Sequence, residues 1–455
     1  MSTIKLVVSD LHLADNASIL ECFADMQQSA FEGLLGMASR SHHTHSSFFS
    51  QAEKVELIIN GDTFDFLTTT PYDTNGMTSP AVALQKLDRI ISAHEPFFDA
   101  LRSFIEAPER SITFLAGNHD IELCFAEVRE RICKAIVGVA SDVRLHFCPT
   151  RFYRPLPDVY IEHGNHYDFW NHAIAGLWDE QGQPLTREPR TIVLPVGSHY
   201  FQHAAHAVSL AYAYFDRFEP SMNIMRQLAL LSLLDPDIVM ETACKTMQML
   251  SSPRQARANL IPIDERNPVR LFEETIQDFV AFQQDMLARK SDWSPQTDDM
   301  QISSEAFREF VALREALALP TLEAAATILT PATYQMGESV ARGMYTVLEK
   351  DSTLRYAIAG HTHMERFDVV NHGTQAYLNA ASWTQRLAIP TPHEIRGPQG
   401  PALLEWLCNP DWRNVPLRDE TQLTFVLVTS ADGGPSNAKL CIWEGGLRGC
   451  YRVLA

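Results

Sequence analysis

Five short clusters of Asp, Asn and His each follow directly on a run of apolar residues, and this recurrence constrains the fold more than any other feature of the chain. Ser9-Asp10-Leu11-His12 follows Leu6-Val7-Val8, and Asn60-Gly61-Asp62-Thr63-Phe64-Asp65 follows Leu57-Ile58-Ile59. Gly117-Asn118-His119-Asp120 follows Thr113-Phe114-Leu115. Glu162-His163-Gly164-Asn165-His166 follows Val159-Tyr160-Ile161, and Gly360-His361-Thr362-His363 follows Tyr356-Ala357-Ile358-Ala359. Short apolar runs bounded by turn residues read as strands buried on both faces. Loops at the carboxyl ends of such strands converge in one crevice of an open α/β sheet. Residues two apart on an extended chain point the same way, so Asp10 and His12 are expected to face one ion while Leu11 points into the core. His361 and His363 stand in the same relation around Thr362. Gly61, Gly117, Gly164 and Gly360 permit tight turns beside these side chains.

The pattern divides the chain into three segments. Over residues 1–169, strands expected at Ile4–Val8, Val55–Ile59, Ile112–Leu115 and Val159–Ile161 alternate with helical spacing near Ile19–Met37, Ala81–Ile105 and Ile121–Ile136, an α/β arrangement. Residues 170–350 carry almost no strand signal. Helices are expected there at His199–Phe218, Met222–Leu234, Pro236–Leu250, Val269–Ala288, Ser304–Ala318, Leu322–Ile328 and Pro331–Leu348, with polar loops at Asp264–Asn267 and Ser291–Asp299. We read this block as a helical insertion. Strands resume over residues 351–455 at Arg355–Ala359, Phe367–Val370, Ala376–Leu378, Thr424–Val428 and Lys439–Trp443. Asp432-Gly-Gly-Pro435 suits the hairpin turn between the last two, and Pro390–Pro401 reads as a Pro-rich loop.

A formal net charge of −19 with no Lys/Arg-rich run disfavours a nucleic-acid partner. Bound divalent cations reverse the local field, so an anionic small substrate stays compatible with it. The apolar stretches at Ala207–Phe215 and Leu228–Leu234 fall short of a membrane span. No targeting segment is expected ahead of the first strand, and the cytoplasm is the default compartment. The eight cysteines form no CxxC pair and read as free thiols, several of them in apolar surroundings.

Carboxylate, imidazole and amide-oxygen donors without thiolates suit Mn, Fe, Zn or Mg rather than a structural zinc. Two such ions about 3.5–4 Å apart contact one phosphoryl group together and generate hydroxide near neutral pH. The ordered set DxH, GDxxD, GNHD, His and GHxH resembles the calcineurin-like metallophosphoesterases, over residues 4–168 and 355–384. The resemblance implies a four-layer αββα sandwich interrupted by the helical insertion. It implies that Asp10, His12 and His363 hold one metal, that Asp62 bridges, and that Asn118, His163 and His361 hold the second. Two divalent ions are implied, manganese first, with Fe, Zn or Mg as alternatives. His119, supported by Asp65, would assist charge on the phosphoryl group or the leaving oxygen. The implied activity is hydrolysis of a phosphate ester or pyrophosphate bond of a small phosphorylated substrate by metal-bound hydroxide. Ser9-Asp-Leu-His-Leu13, Gly360-His-Thr-His363 and Asn379-Ala-Ala-Ser-Trp383 are similar to the branch containing UDP-2,3-diacylglucosamine hydrolases. Those enzymes usually carry Arg where this chain has His119, and they are much shorter. A nucleotide or protein phosphomonoesterase or phosphodiesterase is the alternative, and a noncatalytic interaction module a further one. The pattern is silent on oligomeric state.

Other polar residues have blander readings beside their functional ones. His166 and Asp168 are as compatible with local turn structure as with a role beside a metal-bound imidazole. His199, His203 and His206 would share one helix face, read as part of a half-buried amphipathic helix, with a cap surface that contacts phosphate or a further metal as the functional alternative. His42, His43 and His45 fall in a Ser-rich loop. Met222, Met225, Met240, Met247 and Met249 read as core filling. Arg151, Arg154, Arg187, Arg190 and Arg386 are candidate clamps for a second phosphate or a carboxylate. Because both ends of the helical block adjoin ligand-bearing segments, it is expected to act as a cap that excludes water.

Overall fold

The computed structural model describes residues 3–15, 19–39, 54–73, 76–168, 170–172, 177–179, 181–185, 189–219, 222–250, 267–288, 304–330, 337–431 and 434–455. The His42–His45 loop, most of the two polar loops, Arg187 and part of the Asp432–Pro435 turn lie outside them. The fold is mixed α/β and clusters into two compact units. One comprises Met1–His199, Gly337–Gln385 and Thr421–Ala455; the other comprises Tyr200–Met336 and Arg386–Glu420.

In the first unit a seven-stranded sheet contains β1 (Thr3–Val8), β2 (Lys54–Asn60), β3 (Arg110–Leu115) and β4 (Leu145–Phe147), all mutually parallel. A five-stranded sheet contains β5 (Phe152–Leu156), β6 (Val159–Glu162), β7 (Tyr356–Ala359), β8 (Glu365–Val370) and β9 (Gln375–Ala380). The antiparallel strands β10 (Leu423–Ser430), β11 (Asn437–Glu444) and β12 (Cys450–Val453) complete the first sheet, in the order β12-β11-β10-β1-β2-β3-β4. The second sheet runs β8-β9-β7-β6-β5, with β6 and β7 parallel.

The period-2 alternation of a strand explains how these sheets stack. Val7, Ile58 and Leu115 on the first sheet and Val159, Ile161, Ile358 and Leu378 on the second bury into one shared apolar cluster. Their neighbours Leu6, Val8, Leu57, Ile59 and Phe114 point the other way, into a cluster with Phe31, Leu34, Phe97, Leu101 and Ile132 from helices α1 (Asp25–Ala38), α3 (Glu95–Glu106) and α4 (Ala126–Val137). Tyr160, Ala357, Ala359 and Tyr377 face Val340, Ala341 and Met344 of α10 (Glu338–Lys350). The helical run expected at Ala81–Ile105 is two helices, α2 (Pro80–Ala93) and α3, separated at His94, where Pro96 enters the first turn of the second.

In the second unit, α5 (Ile224–Leu234), α6 (Pro236–Leu250), α7 (Pro268–Ala288), α8 (Ser304–Ala316) and α9 (Thr321–Ile328) gather around Leu230, Leu231, Phe272, Leu313 and Ile328. Met222 is buried there, and Met225 and Met240 pack against the same core. Helix His199–Phe218 is corrected: α-helix ends at Ala211, and Phe218–Glu219 pairs with Leu387–Ala388. The π-helical turn Phe201–Ala205 also breaks the 3.6-residue spacing on which a shared histidine face depended.

Residues 386–420, read from the pattern with the second core segment, cluster instead with the helices. Pro390–Pro401 is not a loop. Thr391 caps the helix α11 (Pro392–Arg396) and forms a capping box with Glu394, and α12 (Gly400–Cys408) carries Pro401 in its first turn. Proline suits the first helical turn, where its missing N–H costs nothing. Ile395, Leu403, Leu404, Trp406 and Leu407 then join the helical core. All eight cysteines are free, with Cys22, Cys133 and Cys441 buried and Cys450 exposed. Among the described residues no helix is long and apolar enough to cross a membrane.

Candidate metal centre

The loops carrying Asp10, His12, Asp62, Asn118, His163, His361 and His363 leave the carboxyl ends of β1, β2 and β3 in one sheet and of β6 and β7 in the other. Backbone hydrogen bonds stitch them together. Asp10 N–H donates to Gly61 O (3.2 Å), His12 N–H to Asp62 O (2.9 Å) and Gly360 N–H to His163 O (2.9 Å). Trp383, fully buried, donates its N–H to Asp10 O (3.0 Å) and its Nε1–H to Thr424 O (2.7 Å).

Asp10 and His12 do reach one cluster while Leu11 is fully buried, but not through extended backbone. Asp10, His12, Asp62, His361 and His363 have φ of 56°, 53°, 50°, 68° and 57°, in the left-handed region. Five non-glycine residues held there represent stored strain, which persists when surrounding structure over-determines it and which concentrates at functional sites. Gly61 has φ 81°, and a Cβ there would collide with the His163 ring.

Among the described residues, three overlapping triads have possible ligand atoms mutually within 4.8 Å: Asp10, His12 and His363; His12, Asp62 and His119; and Asp62, His163 and His361. Asp62 Oδ2 lies 3.2 Å from His163 Nε2 and 3.8 Å from His12 Nε2. His363 Nε2 is 3.1 Å from Asp10 Oδ1 and 3.1 Å from His12 Nε2. His163 Nδ1 donates to Asn60 O (2.7 Å), so in the neutral ring its Nε2 keeps a lone pair. That Nε2 and Asp10 Oδ1 are buried and face Asp62 Oδ2 and His363 Nε2, and Asn118 Oδ1 is buried without a hydrogen-bond partner. Buried polar atoms left this way cost stability unless something answers them. Here all three are lone pairs, the donor type a divalent cation takes.

His119 donates its backbone N–H to Asp62 Oδ1 (2.8 Å), and its Nδ1 lies 3.1 Å from Asp65 Oδ1. Asp120 was not singled out from the sequence, although its place as the last residue of the third block was a signal. It is fully buried and accepts N–H groups from Gly117 (2.7 Å), Asp62 (3.2 Å) and Thr63 (2.7 Å), tying the loops after β2 and β3 together. Asp168 accepts from Trp170 N–H (2.9 Å) and the Asn171 amide (2.7 Å), and also meets His361 Nε2 at 3.0 Å. Arg151 pairs with Glu162 (2.9 Å) and Arg154 with Asp351 (3.0 Å); Arg386 belongs to the helical unit.

Crowding sets the charge of these groups. Burial pushes the Asp62 carboxyl up, but His163 and His119 outweigh it and hold the group well below the usual range. Burial is likewise outweighed at Asp65 by His119, and at Asp10 by His163 and His363. The imidazoles move oppositely. Burial favours their neutral forms, yet Asp62 carries His163 to about 9, Asp10 and Asp65 raise His12, and Asp65 raises His119. The carboxylates thus attract positive charge strongly, and a metal ion would compete with protons for the imidazole nitrogens.

No protein-family model matches the chain, and no curated protein does. A crystal structure of a dimetal phosphatase from Danio rerio is similar at 11% identity, covering 100% of this chain and 99% of the other, with a TM-score of 0.29. A likeness at that level carries no argument, so any assignment rests on the residues themselves.

Proposed function

We propose that the chain is a dinuclear metal-dependent phosphoesterase hydrolysing a phosphate ester or pyrophosphate bond. The observation supporting this reading is that the triad of His12, Asp62 and His119 joins the set of Asp10, His12 and His363 to the set of Asp62, His163 and His361, with Asp10 Oδ1, Asn118 Oδ1 and His163 Nε2 buried beside them. Asp10, His12 and His363 would hold one ion, Asn118, His163 and His361 the other, and Asp62 would bridge them. Such a pair supplies charge that polarises a phosphoryl group and lowers the pKa of water. Manganese is the first choice, and Fe, Zn and Mg are the alternatives. The two sheets are read as the inner layers of a four-layer αββα sandwich.

The chain's own groups provide the rest of the chemistry. The hydrogen bond from His119 N–H to Asp62 ties the acid-bearing loop to the bridging carboxylate. With Nδ1–H donated to Asp65, His119 presents Nε2, and its side chain is 26% exposed, enough to meet a substrate from solvent. Asp65 favours the protonated imidazole, which donates to a phosphoryl oxygen or protonates the leaving oxygen.

The substrate is read as a small phosphorylated molecule, with the anhydride chemistry of the similar branch tested first. Metal analysis of purified protein, then an aryl monophosphate, a bis-aryl phosphate and a nucleotide diphosphate sugar assayed in parallel, tests the reading. Turnover of at least one, abolished by chelation and restored by the metal found, is expected. No turnover with any metal offered would turn the assignment toward a noncatalytic module.

A further inference from the structure

The two imidazoles of the triad of Asp62, His163 and His361 are held in different ways. His163 Nδ1 donates to a main-chain oxygen, Asn60 O, at 2.7 Å, and its Nε2 faces Asp62 at 3.2 Å. His361 instead meets a carboxylate, Asp168 Oδ2, at 3.0 Å through Nε2. An ionised carboxylate only accepts, so Nε2 of His361 carries the proton and Nδ1 is the atom left with a lone pair. His361 is anchored at its backbone as well, where its N–H donates to Asp10 Oδ2 at 2.9 Å. Its ring lies edge-on to that of His163, with centroids 5.3 Å apart.

Asp168 is itself held. Its Oδ1 accepts Trp170 N–H at 2.9 Å and its Oδ2 accepts the Asn171 amide at 2.7 Å. The Asn171 carbonyl in turn accepts from the Asn165 amide at 2.9 Å. This closed local turn fixes the carboxylate that faces His361, which is 193 residues away in sequence.

We propose that Asp168 is a positioning residue for the second metal site: it fixes the tautomer and ring orientation of His361, so that Nδ1 is the donor offered to the ion. The proposal rests on the dinuclear reading of the centre. A carboxylate partner also makes the imidazole a stronger donor, and loss of such outer partners commonly weakens metal binding about 10- to 100-fold. The effect should be confined to the ion held by Asn118, His163 and His361. The set of Asp10, His12 and His363 does not include the imidazole that Asp168 holds.

The test is calorimetric titration of apo protein with Mn²⁺, with bound metal counted after dialysis, for the wild type, Asp168→Ala and Asp168→Asn. His163→Ala and His363→Ala are titrated alongside to assign each dissociation constant to its site. In Asp168→Ala the constant that His163→Ala abolishes should rise about 10- to 100-fold, while the other stays at the wild-type value. Asp168→Asn, whose amide oxygen still accepts from His361 Nε2, should keep more of that affinity. Circular dichroism and thermal melts confirm folding, and Asp168→Asn carries the comparison if the alanine variant does not fold. Wild-type constants at both sites in Asp168→Ala, equal weakening of both sites, or an asparagine variant as weak as the alanine one would overturn the role of Asp168. A wild-type chain that binds fewer than two ions would instead sink the dinuclear reading, and this proposal with it.

Discussion

In the sheet-bearing unit, buried and half-buried carboxylates and imidazoles from five loops lie within reach of one another. In the helical unit, ion pairs such as Arg270–Glu274 and Arg396–Glu323 sit at the surface around an apolar core. Exposed pairs of that kind contribute between about 0 and 1 kcal/mol and ask little of the fold. A buried cluster of carboxylates and imidazoles on left-handed backbone costs stability, and the rest of the unit must offset it. Among the described residues the contrast places the side chains that could hold a metal in the sheet-bearing unit, while the helical unit buries an apolar core.

Breaking the buried cluster should have the largest effects. Asp62→Asn is expected to lose at least one ion per chain and about 10³-fold in kcat, as removal of several kcal/mol of Lewis-acid stabilisation implies. Full metal content with near-normal turnover would remove Asp62 from its bridging place. His119→Ala should lower kcat by about 10²- to 10⁴-fold while elemental analysis finds the metals retained. Loss of metal in that variant would make His119 a ligand, which its place in the middle triad allows.

The helical core should respond in stability alone. Leu230 is fully buried there, and Leu230→Ala is expected to cost about 2–5 kcal/mol in chemical denaturation, with ion stoichiometry of the folded chain unchanged. Altered stoichiometry would tie the two regions together more closely than the contrast supposes.

The smallest effect concerns Glu122, on the short 3₁₀ turn Ile121–Cys124 that follows His119 and Asp120. Both of its carboxylate oxygens are buried without a hydrogen-bond partner, and burial pushes its carboxyl up to about 8 despite the pull of Lys86. A group whose pKa is raised in the folded chain supports folding below its unfolded value. That support is lost as pH rises through the folded value. Thermal melts of the wild type should therefore fall relative to Glu122→Gln between about pH 5 and pH 9, diverging by a few degrees. Parallel curves across that range would mean the carboxylate is solvated.

Much of the sheet-bearing unit was legible in the chain because its strands are buried on both faces. Leu6-Val7-Val8, Leu57-Ile58-Ile59 and Tyr356-Ala357-Ile358-Ala359 all became strands within a residue or two of the expected ends. The Asp and His side chains at the ends of those runs were legible as residues that could gather in one cluster. The edge strands β4 and β5 were missed. Leu145–Phe147 and Phe152–Leu156 are short and only partly buried, which leaves no clean periodicity to read. Residues 386–420 were misplaced because prolines at helix starts and prolines in loops look alike until the capping partner is known.

Local pattern by itself determined that apolar strands would end in metal-binding types of side chain, because periodicity and turn chemistry act over a few residues. Tertiary structure alone decided that Asp10 and His12 meet through left-handed backbone, that Asp120 clamps two loops, and that Asp168 faces His361. Those contacts join segments far apart along the chain, and a through-space partner is chosen by packing that no short stretch of residues encodes.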